Sequence, residues 1–220
     1  WDDFASDFIE EIMGERYGKD NIPKEKILIE HASANATGPF HMGRARNPII
    51  GDSIARLLIY SGHDVKTEYY VNDTGRQAAT LAYGLDHYEP GKKGKKDHRL
   101  VNCYQRASKE LKENEATKNK IYNDMELIEG GDKKSLRDVR GAAEQMLEGM
   151  KLSLRRLKTE PDSYFHESDL LESGVVNDII EKLKQSKLCG EENGAHYLDL
   201  EAEGIAGRNQ KFFFTRENGL

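Results

Sequence analysis

Apolar residues recur at helical spacing at Phe4, Phe8, Ile12 and Met13, and this stripe predicts an amphipathic helix over residues 2–17 that packs through its apolar face. After Pro23 the pattern changes. Ile27-Leu28-Ile29 is a continuous apolar run, the mark of a strand buried on both faces, and Glu30 closes it. A helical stripe then returns, with Ile49, Ile50, Ile54, Leu57 and Leu58 on one face of a helix from about Met42 to Tyr60. Ser61-Gly62 stops that helix, and Pro48 lies in its first two turns. β-Branched and aromatic residues from Val65 to Val71 predict a second strand, and Asn72-Asp73 is expected to cap a third helix running to about Leu85. Strand, helix, strand and helix in succession point to an α/β fold with an open, mostly parallel sheet.

The pattern shifts at Tyr88. Lys92 to Lys96 form a glycine-broken basic loop, and residues 100–158 are almost free of strand character. Leu136, Val139, Ala143, Met146, Met150, Leu154 and Leu157 step by three or four, the face of one long helix. Beyond it the sequence predicts a short strand at Tyr164-Phe165 and a helix around Val175–Leu183. Two late strands follow, Ala195 to Leu200 and Lys211 to Thr215.

Composition narrows the function classes. With 33 basic against 39 acidic residues the 220-residue chain has a net charge of -6, so it lacks the basic balance of a dedicated nucleic-acid module. Cys103 and Cys189 stand apart from any metal-ligand spacing and are expected as reduced thiols, without a metal site. No run approaches the roughly 20 apolar residues of a membrane span, so a cytoplasmic location is expected. The chain opens on Trp1 and ends soon after a strand, which suggests a piece excised from a longer protein.

The candidate chemistry lies between His31 and Asn47, where a strand ends and a helix begins. Small residues, the Gly38-Pro39 turn, His41 and Gly43 describe a junction that a phosphorylated ligand can approach closely, because helix starts offer unpaired N–H donors. His41 can donate to a phosphate oxygen, Gly43 leaves room for a flat base, and Arg44 adds a permanent cation. Taken singly, a histidine here is a cap or a packed ring and an arginine is a surface charge. The cluster favours the ligand-binding reading.

The stretch Thr37-Gly-Pro-Phe-His41-Met-Gly-Arg44 resembles the HIGH signature of the class I aminoacyl-tRNA synthetases. Its flanks resemble the arginyl-tRNA synthetase family, nearest to its archaeal form: Glu30, Ser33, Asn35, Ala45-Arg46-Asn47, Gly51-Asp52 and Tyr70-Val-Asn-Asp-Thr-Gly-Arg-Gln77. The match returns at Phe165-His-Glu-Ser-Asp169, Gly194–Leu198 and Phe213–Gly219. The resemblance implies the first half of a Rossmann-like nucleotide-binding domain with a largely helical insertion. Its parts would be an N-terminal helix at 1–25, the first Rossmann half at 26–89, the connective insertion at 90–205 and the start of a return to the catalytic sheet at 206–220.

The resemblance also implies ATP binding by Thr37, Gly38, Pro39, His41, Gly43 and Arg44, with His41 and Arg44 in catalytic roles. Glu30, Ser33, Asn35 and His41 would hold arginine, with weaker assignments for Tyr70 and Gln77. A cationic substrate must be desolvated to be recognised, and Glu30 would offset that cost. Arginine would attack ATP, taken with Mg2+, and the arginyl group would pass to the terminal ribose of tRNA(Arg), catalysed by alignment and by cations on the phosphates. A monomer and no membrane partner are implied.

Two residues depart from the family pattern. Arg44 replaces the second HIGH histidine, and Gly38 stands where some members carry a lysine that substitutes for the KMSK lysine; neither KMSK nor an anticodon-binding domain occurs in this chain. Two other readings remain at this point: a class I-like nucleotidyl transferase with another substrate, and a non-catalytic ATP- or RNA-binding module. For Lys92–Lys96 a solvated loop is favoured over a tRNA contact.

Overall fold

The structure is a computed structural model that describes residues 2–14, 17, 23–201, 204–205 and 210–217. The chain divides into two units. The first comprises Trp1–Ala34, Phe40–Tyr70 and Lys151–Phe165; the second comprises Asn35–Pro39, Val71–Met150 and His166–Leu220.

The first unit contains helix α1 (Asp2–Met13), strand β1 (Lys26–Glu30), helix α2 (Met42–Tyr60) and nearly all of β2 (Asp64–Val71) and β3 (Ser163–His166). The strands form one sheet in the order β1-β2-β3, with β1 and β2 parallel from Lys26↔Asp64 to Glu30↔Glu68. A parallel pair needs a crossover, and α2 supplies it. Asp162, just before β3, accepts from the Thr67 N–H at 2.7 Å and the Thr67 hydroxyl at 2.8 Å.

Here the structure corrects three expectations. β1 is not buried on both faces: its residues alternate, and Leu28 is 60% exposed. It is an edge strand among the described residues, and the face that carries Leu28 is uncovered. α2 does not bury its isoleucine stripe either, since Ile49, Ile50, Ile54 and Leu57 are exposed, whereas Pro48, Gly51 and Ala55 are buried. The small side wins because it lets the helix backbone come close to the loop after β1. A Cβ on Gly51 would lie 2.3 Å from the Cβ of His31. α1 ends at Met13 and its apolar side chains stay largely exposed; Phe4 stacks on Phe8 at 5.9 Å between ring centres. Part of the expected helical end, residues 15–16, lies outside the described residues.

The second unit is mainly helical: α3 (Gly75–His87), α4 (Lys96–Glu113), α5 (Glu115–Glu129), α6 (Lys133–Leu157, to Met150), α7 (Glu167–Glu172) and α8 (Val175–Lys184). The stripe predicted for one long helix is realised in α6. Leu136, Val139, Ala143, Met146, Met150 and Leu154 are all buried, and only Leu157 at the end is exposed. Leu136 and Val139 join Ala78, Ala79, Ile121, Met125 and Ile128 in one apolar cluster. Asn114 fixes the start of α5 by accepting from the N–H groups of Ala116 and Thr117.

Strands β4 (Cys189–Glu192), β5 (Ala195–Asp199) and β6 (Lys211–Phe213) form a separate antiparallel sheet in that order. The strand expected at Lys211 to Thr215 therefore pairs with β5, while residues 206–209 and 218–220 lie outside the described residues. In the basic loop Lys92, Lys93 and Gly94 are exposed, whereas the two lysines that follow are paired. Lys95 reaches the fully buried Asp97 at 3.0 Å and the Gly149 carbonyl at 3.1 Å, and Lys96 pairs with Glu148 at 2.7 Å. Among the described residues no helix is long and apolar enough to cross a membrane.

Candidate functional site

In the first unit, Glu30 ends β1 on its carboxyl side, where open α/β sheets bind ligands, and its exposed carboxylate has no partner among the described residues. The loop that follows is strained. Ala32 and Ser33 take φ of 67° and 34°, left-handed values that cost a non-glycine residue on the order of 1 kcal/mol or more. Several contacts hold them there: the Ala32 N–H donates to Asn47 Oδ1 at 2.6 Å, Ser33 Oγ accepts from the Tyr70 N–H at 3.0 Å, and the Tyr69 hydroxyl donates to the Ala34 carbonyl at 2.5 Å. Burial pushes the Tyr69 phenol well above its ordinary range, so it stays a donor.

Beneath this loop lies His31, buried, with neither ring nitrogen hydrogen-bonded among the described residues. Burial lowers its pKa, against the opposing pull of Asp52 and Asp162. Gly51 and Asn47 therefore act as a pair one helical turn apart, one admitting the His31 ring and the other tying the next peptide.

His41 is the N-cap of α2, with its carbonyl accepting from the N–H groups of Arg44 and Ala45, both at 2.9 Å. Its side chain makes no capping bond. The exposed ring instead covers Gly43, where an added Cβ would meet Cε1 at 3.1 Å. The ring thus remains free of the helix terminus, as a ligand contact requires. Arg44 is half-buried, and Tyr70 stacks on Phe165 at 5.9 Å.

In the second unit, Asn35 Nδ2 donates to Gln77 Oε1 at 2.7 Å, joining two positions 42 residues apart. That bond leaves the Asn35 amide oxygen to accept from another group. Gly38 is buried against Val101, whose Cγ2 would lie 2.9 Å from an added Cβ, so packing demands glycine there whatever the ligand. Thr37 and Pro39 flank it, half-buried.

Residues 10–210 match the family model described as tRNA synthetases class I (R), catalytic domain. The chain belongs to this family. Among curated relatives, the arginine–tRNA ligase of Methanocella arvoryzae is 38% identical over 222 residues, covering 98% of this chain and 39% of the relative. That of Archaeoglobus fulgidus is 39% identical over 220 residues, covering 99% and 38%. The chain thus spans well under half the length of these relatives. The solved Thermus thermophilus arginyl-tRNA synthetase superposes with a TM-score of 0.70 at 28% identity, over 90% of this chain and 34% of that one. The Plasmodium falciparum enzyme, at TM-score 0.60 and 22% identity, shares the fold over 92% of this chain and 34% of its own.

Within this synthetase domain, the structure shows a cluster that sequence reasoning missed. Asn72-Asp73 does not cap α3; the N-cap is Thr74, and Asp73 is fully buried. Its carboxylate accepts from His166 Nδ1 at 2.8 Å, from the Ser168 N–H at 2.9 Å and from the Ser168 hydroxyl at 2.7 Å, with Arg140 Nε 3.9 Å away. On its other side the His166 ring meets Glu144 at 2.9 Å. The latch fixes the turn into α3 and hence the backbone that carries Gln77. Its signal was present, since Asp73 and His166-Glu-Ser168 lie in two separate stretches that carry the family resemblance.

Proposed function

We propose that the polypeptide carrying this chain is an arginine–tRNA ligase that forms arginyl-adenylate from arginine and MgATP and transfers the arginyl group to tRNA(Arg). The match of residues 10–210 to the class I arginine family carries this reading. Arginine recognition falls to Glu30, Ser33, Asn35 and His41, and in a lesser part to Tyr70 and Gln77. The Glu30 carboxylate, unpaired among the described residues, supports a guanidinium partner, and the Asn35 amide oxygen, uncommitted among the same residues, supports acceptance from the substrate ammonium. Thr37, Gly38, Pro39, His41, Gly43 and Arg44 take ATP. His41 and Arg44 gather charge on the phosphates, and no protein nucleophile is required. The enzyme would work in the cytoplasm as a monomer.

Pyrophosphate exchange into ATP tests this. It should depend on arginine, with tRNA present, and His41→Ala should remove most of it. Exchange supported equally by another amino acid, or unchanged by the substitution, rejects the assignment.

A further inference from the structure

Asparagine is a poor helix former, because its amide competes for nearby backbone groups. Asn47 nevertheless sits in α2, directly before Pro48 and one turn before Gly51. Three residues that weaken a helix thus share the side of α2 that meets the loop after β1. What Asn47 supplies in return is an acceptor: its Oδ1 takes the Ala32 N–H at 2.6 Å, across 15 residues of sequence.

That bond has no substitute in the loop. Among the described residues, the other hydrogen bonds of residues 31–34 run to β2 or stay within the loop. The His31 N–H donates to the Glu68 carbonyl at 3.1 Å and the Ser33 N–H to the His31 carbonyl at 3.0 Å, while Ser33 Oγ and the Ala34 carbonyl accept from Tyr70 and Tyr69. Only the Ala32 N–H reaches α2. Ala32 is also the first of the two non-glycine residues with left-handed φ, so the bond acts where the backbone most needs a restraint. These two residues set the direction in which the chain leaves Glu30 and the place of the Ser33 hydroxyl.

We infer that Asn47 is a positioning residue for the amino acid, an inference that rests on the ligase reading above. It touches no substrate. It holds the left-handed turn that presents Glu30 and Ser33, and it does so from the helix whose first turn carries His41 and Arg44, all within the first unit. Without the bond the turn relaxes, and the apparent affinity for arginine falls by the fraction of molecules that lose the competent loop.

The test measures arginine-dependent pyrophosphate exchange in the full polypeptide with tRNA present, taking KM for arginine and for ATP separately. Asn47→Ala should raise the KM for arginine about fivefold, equivalent to about 1 kcal/mol, the net worth of one hydrogen bond. KM for ATP and kcat should stay within about twofold. Asn47→Asp keeps an acceptor oxygen and should stay within about twofold of wild type. In an Ala32→Gly background the loss from Asn47→Ala should shrink to less than about twofold, because glycine takes a left-handed φ without a Cβ penalty. Deuterium exchange of the residue-32 amide, read by NMR on alanine-labelled protein, should quicken in Asn47→Ala and not in Asn47→Asp. An unchanged KM for arginine, equal rises in both KM values, a fall in kcat alone, Asn47→Asp as impaired as Asn47→Ala, an undiminished loss in the Ala32→Gly background or an unchanged amide exchange would each overturn the proposal. Wild-type protein without arginine-dependent exchange would overturn the ligase reading, while the residue-32 amide would still judge the Asn47 bond.

Discussion

Replacing Gly51 with alanine sets two effects of opposite sign against each other. In the interior of a helix the change should stabilise by about 1 kcal/mol, because glycine loses the most backbone entropy on folding. The surroundings reverse this. The new Cβ would lie 2.3 Å from His31 Cβ and 2.8 Å from its Cγ, short of the roughly 3.5 Å contact distance by about 1.2 Å for the nearer atom. Neither of those atoms is the far end of a flexible side chain, so α2 must move away from the loop. Such overpacking costs about 1–3 kcal/mol. The same movement stretches the 2.6 Å bond from the Ala32 N–H to Asn47, which lies one turn earlier on that helix face, at a further cost of about 1 kcal/mol. The net expectation is a loss of about 1–3 kcal/mol, read by urea or thermal unfolding as a fall in Tm of roughly 2–12 °C. Gly141 in α6 is the control, because an added Cβ there meets nothing within 4 Å; Gly141→Ala should gain roughly 0.5–1 kcal/mol. If Gly51→Ala gains as Gly141→Ala does, the close approach of α2 to His31 is wrong.

Three further outcomes follow from buried or half-buried polar groups. Asp73→Ala strands the Ser168 N–H, its hydroxyl and His166 Nδ1 without their acceptor, and should cost about 3–5 kcal/mol in equilibrium unfolding; a change under 1 kcal/mol would contradict the latch. Burial raises the folded pKa of Glu167, against a hydrogen bond from Thr74, so its contribution is present below the unfolded value near 4.5 and lost as pH rises through the folded value. Glu167→Gln should therefore stabilise at pH 7 more than at pH 4, measured by unfolding at both. For His31 the folded pKa is lowered, so the unfolded chain binds the extra proton and stability falls as pH drops below about 6.5, by at most about 1.4 kcal/mol per pH unit; His31→Leu should flatten that slope.

The long stripe from Leu136 to Leu154 was legible because buried residues recur every three or four positions against an otherwise charged helix. The same rule misled in α2. Periodicity finds the apolar face of a helix, but close approach selects the face with the smallest side chains, and Gly51 and Ala55 carry almost no hydrophobic signal. β1 was found but its burial was not, since a short apolar run does not say whether both faces are covered. At the candidate site, Asn35 and Gln77 were each readable from motif resemblance, and the structure adds that they touch. Asp73 was misassigned for a physical reason. Its position beside a helix start suggested a local cap, whereas its partners are three-dimensional neighbours more than 90 residues along the chain.

That separation also sets a clock on synthesis. Asp73 waits for Ser168, 95 residues downstream, and at roughly 5–20 residues per second the ribosome needs about 5–20 s to supply it. Until then the turn into α3 carries a carboxylate with no donors to receive, and the backbone that orients Gln77 is unfixed. The turn that leads to Gln77, though encoded early, is fixed only after helices α4, α5 and α6 have been made.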